Sequence, residues 1–327
     1  VYLRAGHDAR EDLLQELFGQ FFETGGDVKV TETDVRRHMT GKKALIVIDD
    51  ANHLGEREAE DLAGAVPHCA VLIAGLEQQV WQAVAVSLRG LPRAQAVDLF
   101  ERYWGPVSAE DRPTVEAICQ ALNDVPQSIV KTASIAKQRE VPLAQVHQQV
   151  QPRTAKPDPM DQAFWATASA LSEGERSVLG ALAAPGGQTV AVEALPTIVG
   201  LPPEEVRQYL NRLQEMGLVQ ADGSRTSLDD AFRPYARRHC ADEEMRERAA
   251  NYYLRKAADL HVHSKDPDEV NVRAALGYYY RRKRWKEVIQ IVRSTERYLA
   301  TSGRWGQWRR WLTHAWQAAR ELGDQAT

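Results

Sequence analysis

A run of five apolar residues, from Ala44 to Ile48, is the feature that most constrains how this chain folds. Such a run predicts a strand buried on both faces, which is typical of a central strand in a parallel α/β sheet. Asp49 and Asp50 follow directly, at the end of the strand where ligands collect in open parallel sheets. Paired carboxylates at that end suit a hard divalent cation and a polarised water. The alternative interpretation is a strand that ends in an acidic, solvated turn.

The composition is that of an ordinary globular protein. The chain has 327 residues, of which 43% are hydrophobic and 26% charged, and this length accommodates two or three domains. Its net charge of −4 provides no general attraction to nucleic acid. The three cysteines lie far apart, without metal or redox spacing, as is common in a reducing compartment. No apolar run is long enough to span a membrane and no signal-peptide pattern is present, so we expect a cytoplasmic protein without a membrane partner.

Predicted strands and helices alternate over the first 91 residues. We expect strands over 1–5, 44–48, 69–74 and 84–88, and helices over 8–22, 33–39 and 56–65. This alternation predicts a parallel α/β sheet. Asp8, with Glu11 three residues later, is expected to cap the first helix. Because the sequence begins with valine inside an expected strand, we interpret residues 1–91 as the remainder of an α/β nucleotide-binding domain.

The rest of the chain is predicted to be helical, which makes the protein multidomain and mostly α overall. Residues 92–150 form an expected helical subdomain, and 151–160, with three prolines between 151 and 159, an expected linker. Ser172 and Glu175 have the spacing of a capping box, and Asp222-Gly223 is expected to form the turn of a hairpin. The pattern of three helices and a hairpin over 161–241 predicts a winged helix. Aromatic helices over 242–327 predict the start of an α-solenoid of the tetratricopeptide (TPR) type.

Five short motifs occur in a characteristic order along this chain. They are residues 45–50 (LIVIDD), 89–92 (RGLP), 121–126 (ALNDVP), 271–276 (NVRAAL) and 303–305 (GRW). Their order resembles that of the STAND ATPases, the NB-ARC-like P-loop nucleotide switches of bacterial regulators. In that family a P-loop α/β domain is followed by a helical subdomain, a winged helix and a helical-repeat sensor.

The resemblance implies a signalling switch in signal transduction or transcription regulation. In the family, ADP is clamped between the α/β domain and the winged helix, and exchange for ATP permits self-association. The expected cofactors are therefore ATP or ADP with Mg²⁺. Asp49 matches the metal ligand of the Walker B motif and Asp50 the residue that orients the attacking water. Pro126 and Asp230 match nucleotide-contacting positions, and the helical region implies a protein or ligand signal.

This sequence departs from the family at positions that, in the family, contact the phosphates of the nucleotide. The Walker A loop of the family is rich in glycine, and its backbone N–H groups and lysine hold phosphate. This loop is not present in this sequence, and in the family it lies before the position that corresponds to Val1. Leu76 stands where the family has an arginine, and Asp229 where it has a histidine. We therefore expect weak or absent nucleotide binding by these residues alone, and ATP hydrolysis only with a P-loop upstream. Two hypotheses stay open: a nucleotide switch, or a catalytically degenerate scaffold that binds a protein partner.

Two further patterns allow a nucleic-acid or ligand interpretation. The candidate recognition helix over 203–216 carries two arginines and three glutamates, so we do not expect DNA contact through the winged helix. The basic, aromatic run over 278–286 suits either single-stranded nucleic acid or a packed helix end. Trp305, Trp308 and Trp311 share one helix face, which favours packing between helices over a ligand platform.

Overall fold

The computed structural model describes residues 1–6, 8–23, 28–75, 84–152, 158–261, 266–301 and 303–323. The chain divides into two compact units. The first comprises Val1–Val86, Leu254–Glu269 and Leu276–Thr327, and the second comprises Ser87–Tyr253 and Val270–Ala275. Helices predominate, with one small parallel sheet and one small antiparallel sheet, which confirms the mostly α prediction. The five segments predicted from the sequence divide the chain more finely, and their boundaries stay predictions.

The sheet of the first unit is parallel, as predicted. Its strands are β1 (Tyr2–Arg4), β2 (Leu45–Asp49) and β3 (Ala70–Ile73), in the order β1-β2-β3. Tyr2 lies opposite Val47, and Val47 opposite Leu72. The strand predicted over 84–88 is wrong, because these residues are irregular and their apolar side chains are exposed. An apolar run without a neighbouring strand cannot form the ladder hydrogen bonds that define a sheet.

Helices cover one face of this sheet. These are α1 (Arg10–Gly19), α2 (Glu32–Met39) and α3 (Glu56–Gly64). Ile46 and Ile48 of β2 pack with Leu13 and Leu17 of α1 in the core. The prediction that β2 is buried on both faces is wrong, because Leu45 is 55% exposed. In the described part of the chain, the face that carries Leu45 therefore remains open.

The start of α1 differs from the expected cap. Its N-cap residue is Ala9, with no side-chain capping bond, so the predicted capping role of Asp8 is wrong. The Asp8 carboxylate instead accepts a hydrogen bond from Arg304 at 3.0 Å. An ion pair with a distant arginine has replaced the local bond that the sequence spacing favours.

The C-terminal part of the first unit is helical. Its long helices are α15 (Trp285–Thr301) and α16 (Trp305–Leu322), which pack against each other, and α16 also contacts α1. Tyr279 and Trp311 are almost fully buried. Packing is therefore confirmed for Tyr279 of the basic, aromatic run and for Trp311 of the tryptophan face.

The second unit contains helices α4 to α12, most of α13 and part of α14, together with a small sheet. The helices are α4 (Arg93–Trp104), α5 (Arg112–Ala121), α6 (Pro126–Gln138), α7 (Leu143–Gln149), α8 (Pro159–Ser169), α9 (Glu173–Ala183), α10 (Leu195–Val199), α11 (Pro203–Glu215), α12 (Arg233–His239), α13 (Glu243–Lys256) and α14 (Glu269–Arg281). The antiparallel sheet has the order β4-β6-β5, with strands β4 (Thr189–Ala191), β5 (Val219–Asp222) and β6 (Arg225–Leu228). The predicted hairpin is confirmed, with Gly223 at a φ of +59° in its turn.

Two local predictions in the second unit can be compared with the structure. Ser172 caps α9 and forms the predicted capping box with Glu175. Pro159, expected in the linker, is instead the first residue of α8 and is preceded by the capping residue Asp158. Residues 153–157 of the predicted linker lie outside the described residues. No helix in the described ranges combines the length and apolar character that crossing a bilayer requires.

Candidate functional site

The acidic pair, Asp49 and Asp50, lies at the carboxyl end of the central strand β2. Asp49 is the last residue of the strand, and Asp50 adopts a left-handed conformation with φ 55° and ψ 41°. The backbone on either side is fixed to both neighbouring strands. The N–H of Ala5 donates to the Asp49 carbonyl at 2.8 Å, and the N–H of Ala51 donates to the Ala74 carbonyl at 3.0 Å. The turn that carries the pair is therefore held by the sheet itself.

The carboxylate of Asp49 is held by two donors. The Tyr2 hydroxyl donates to Oδ2 at 2.6 Å, and the backbone N–H of Asp50 donates to Oδ1 at 2.8 Å. The hydrogen bond from Tyr2 is the largest cause that lowers the pKa of Asp49, against a smaller opposing effect of burial. The same bond raises the pKa of Tyr2. Asp49 is therefore an anion at neutral pH, with each oxygen already accepting one hydrogen bond.

Asp50 has weaker partners. Its Oδ2 lies 3.4 Å from Nε of Arg4, and its Oδ1 accepts a bond from the Asn52 amide at 3.0 Å. The side chains of Arg4 and Asp50 are 40% and 35% exposed, and an exposed ion pair contributes only about 0–1 kcal/mol. The left-handed backbone of a non-glycine residue costs about 1–3 kcal/mol and is typical of functional turns. Asp50 can therefore change partners more easily than Asp49.

The donor set fits a magnesium ion that arrives with a phosphate ligand. Within the described ranges, no group of three or more His, Cys, Asp or Glu residues is arranged to hold a metal. The acidic pair can offer one or two carboxylate oxygens, and further ligands must come from water or from a bound phosphate. Mg²⁺ is usually bound in this way rather than in an all-protein cage.

The other two predicted site residues lie in the second unit. Pro126 is the first residue of α6, where proline is common because that position lacks an intrahelical N–H partner. Asp230 is 54% exposed at its side chain and lies 3.4 Å from Arg233. Proline lacks an N–H, and the carboxylate side chain of Asp230 only accepts, so neither side chain provides a hydrogen-bond donor for a phosphate.

Asp229, expected to repel a phosphate, already has a cationic partner. Its Oδ2 lies 2.6 Å from Nζ of Lys131 in α6, and both side chains are about four-fifths buried. This ion pair links the turn after β6 to the helical segment within the second unit. Leu76, the other expected departure, lies outside the described residues.

Tyr2, Arg4 and Lys131 were not predicted from the sequence as partners of these acidic residues. Tyr2 and Arg4 alternate along β1 and lie opposite Val47 and Asp49 in the register. Because successive side chains of a strand point to opposite faces, the spacing of Tyr2 and Arg4 in the sequence already indicates that they share one face. The register that aligns them with Asp49 depends on contacts between strands that are more than 40 residues apart in sequence.

No protein-family model and no curated protein matches this sequence. One similar solved structure is that of the Signal Transduction ATPase with Numerous Domains (STAND) protein with a tetratricopeptide repeat sensor from Pyrococcus horikoshii. The match has a TM-score of 0.51 at 13% identity, covering 100% of this chain and 53% of the other. At this identity the likeness shows the fold alone, a STAND-like fold, and this chain spans about half the length of that protein.

Proposed function

We propose that this chain is part of a nucleotide-dependent signalling switch of the STAND ATPase type, with an ADP-held resting state and ATP-driven assembly. The observation that carries the proposal is the acidic pair at the carboxyl end of β2, in a parallel sheet within a STAND-like fold. Ligands of open parallel sheets collect at that edge. The proposed setting is signal transduction or transcription regulation in the cytoplasm.

In this proposal Asp49 and Asp50 have different roles beside the Mg²⁺ ion of a bound nucleotide. Asp49, held as an anion by Tyr2, would be the Mg²⁺ ligand that corresponds to a Walker B acid. Asp50, whose partners Arg4 and Asn52 are weaker, would orient the attacking water. A bound Mg²⁺ supplies positive charge that neutralises the phosphates during transfer.

The phosphate side of the site has few donors among these residues. The side chains of Pro126 and Asp230 provide no phosphate donor, and Lys131 is engaged by Asp229. Hydrolysis needs backbone N–H groups and a lysine in a glycine-rich loop, and residues 1–327 contain no such sequence. We therefore propose that these residues alone bind nucleotide weakly and have no ATPase activity of their own.

The proposed partners follow from the switch. The helical region over 242–327 would receive a protein or ligand signal, and the activated protein would associate with further copies of itself. The α-solenoid type of surface suits such recognition because stacked helices present an extended face. DNA and membranes are not proposed as partners.

A degenerate scaffold that binds a protein partner is the second candidate function. It is favoured by the fact that the acidic residues already have protein partners. Asp49 is bonded to Tyr2, Asp50 contacts Arg4, and Asp229 pairs with Lys131. A site whose anions are satisfied internally has less need of a metal, because removing such partners costs hydrogen bonds.

Calorimetric titration of the complete protein with Mg·ADP and Mg·ATP distinguishes the two candidates. The switch predicts saturable binding that Asp49→Asn weakens for ATP about tenfold or more, since a charge-assisted metal contact is lost. Glu60→Gln, which neutralises an exposed carboxylate of α3 in the same unit, is the matched control and should bind like the parent. A folded complete protein that binds neither nucleotide would contradict the switch and favour the scaffold.

A further inference from the structure

A cleft of about 480 Å³ lies in the first unit, between α1, Lys29 and α16. It is separate from the acidic pair, whose residues do not line it. We call it the tryptophan cleft, and its defining side chains are Glu11, Lys29, Trp305, Trp308, Arg309 and Trp316. Its volume lies within the range of about 300–1,000 Å³ that is usual for small-molecule sites.

The helices that form the cleft are firmly joined. The Asp12 carboxylate in α1 accepts the backbone N–H groups of Gly306 and Gln307, at 3.0 and 2.8 Å. A Cβ at Gly306 would approach Cβ of Ala9 to 2.8 Å, so the two backbones are in close contact here. Arg304 reaches back to Asp8, and both side chains are only 10% exposed. The frame of the cleft is therefore preformed, which reduces the entropy cost of binding.

The tryptophans of α16 are buried to different degrees. Trp311, on the same helix, is 2% exposed, whereas Trp316 is 58% exposed. Trp305 and Trp308 are partly buried, with ring centroids 5.6 Å apart. Their indole N–H groups have no hydrogen-bond acceptor among the residues that the structure describes. These two N–H groups are themselves buried, so the side chain that offers an open aromatic surface to an occupant is the exposed indole of Trp316, which favours a flat apolar ring.

The charges at the cleft favour an anion. Lys29 and Arg309 provide two positive charges against the single negative charge of Glu11, which leaves one positive charge. Arg309 donates to Glu11 at 2.7 Å, but the Arg309 side chain is 72% exposed and the pair is weak. An arginine and a lysine at the rim of an aromatic cleft can hold a carboxylate or sulfonate by charge-assisted hydrogen bonds.

We propose that the tryptophan cleft binds a small organic anion with a flat aromatic ring. The guanidinium of Arg320 lies 4.7 Å from the centre of the Trp316 ring and covers one of its faces. The bound ring lies against Trp308 and the other face of Trp316, and the anionic group meets Lys29 and Arg309. The site is independent of the acidic pair, and nucleotide binding is not needed for it.

Two fluorescent probes that share the same rings test the proposal. The anionic probe is 8-anilinonaphthalene-1-sulfonate, and the uncharged one is N-phenyl-1-naphthylamine. We expect saturable binding of the anion at one site, with energy transfer from tryptophan. We expect the uncharged probe to bind about tenfold or more weakly, because it cannot form the charge-assisted hydrogen bonds of the sulfonate.

Variants locate the binding and separate its two components. Lys29→Gln should weaken binding of the anion and leave the uncharged probe unchanged, whereas Trp316→Ala should weaken both. Both positions are exposed, so the fold should survive, and circular dichroism checks this. Leu322→Ala is the matched control because Leu322 is exposed on α16 but does not line the cleft. The proposal is overturned by absent saturable binding, by equal affinity for the two probes, or by a Trp316→Ala variant that binds like the parent.

Discussion

Replacing Asp12 with alanine should loosen the start of α16 from α1. Asp12 is 5% exposed and accepts two backbone N–H groups of the first turn of α16, from Gly306 and Gln307. It thus caps a helix that lies almost 300 residues away in sequence. Alanine removes both acceptors and leaves two buried donors unsatisfied. Loss of a cap costs about 1 kcal/mol and an unsatisfied buried donor about 1–3 kcal/mol, so we expect a loss of about 2–4 kcal/mol.

Asparagine at position 12 should be milder, with a loss of about 1 kcal/mol, because its amide oxygen still accepts one of the two donors. Burial raises the pKa of Asp12, although the N–H groups of Gly306 and Gln307 and the charge of Arg304 oppose this shift. Because the pKa of Asp12 is raised in the folded state, protonation of Asp12 contributes to the stability of the fold. This contribution is fully present below the unfolded pKa and is lost as the pH rises through the folded pKa. Asp12→Asn should lack this pH dependence.

Hydrogen exchange of peptides from 305–322, together with urea unfolding, measures this effect. Asp12→Ala should reduce protection at the start of α16 and lower the free energy of unfolding of the first unit. Glu60→Ala, which removes an exposed carboxylate of α3, is the control and should stay within about 0.5 kcal/mol of the parent. The reasoning is refuted if Asp12→Ala matches that control, or if asparagine is as damaging as alanine.

Three further predictions test other parts of the account. Tyr2→Phe should raise the pKa of Asp49 in a carboxyl NMR titration, because the hydroxyl donor that lowers this pKa is lost, and an unchanged titration would contradict the assignment. In the parent protein, the stability that this bond provides is present above the unfolded pKa of Asp49 and is lost as the pH falls through the folded pKa. In a double-mutant cycle, Lys131→Met and Asp229→Asn should show a coupling of about 1 kcal/mol, since the pair is mostly buried; strict additivity would show that the ion pair is unimportant. Gly306→Ala should lower the melting temperature by an amount equivalent to about 1–3 kcal/mol, because its Cβ would crowd Ala9 and Asp12, and a neutral effect would show that α1 and α16 can move apart.

Local patterns predicted much of the fold. The apolar run before Asp49 predicted β2, the Ser172 and Glu175 spacing predicted a capping box, and Asp222-Gly223 predicted the hairpin turn. Each depends on residues within a few positions of one another, where propensity and hydrogen bonding act directly. The parallel order of the first sheet also followed from alternating strands and helices.

Long-range contacts could not be predicted in the same way. Asp8 has the spacing of a cap for α1 but pairs with Arg304, which is 296 residues away. The exposure of Leu45 depends on whether a second layer covers the sheet, and an apolar run does not contain that information. Tyr2 reaches Asp49 only through the strand register. Partner choice across the chain is set by tertiary packing, so it is not determined by local spacing.

The oligomeric state of the complete protein with ADP and with ATP tests the proposed switch most directly. Analytical ultracentrifugation in Mg²⁺ should show a single small species with ADP and larger assemblies with ATP, and Asp49→Asn should shift that response. The Glu60→Gln control should behave like the parent. An identical sedimentation profile with ADP, with ATP and without nucleotide would contradict the switch. The described surfaces would then belong to a scaffold rather than to a nucleotide-driven device.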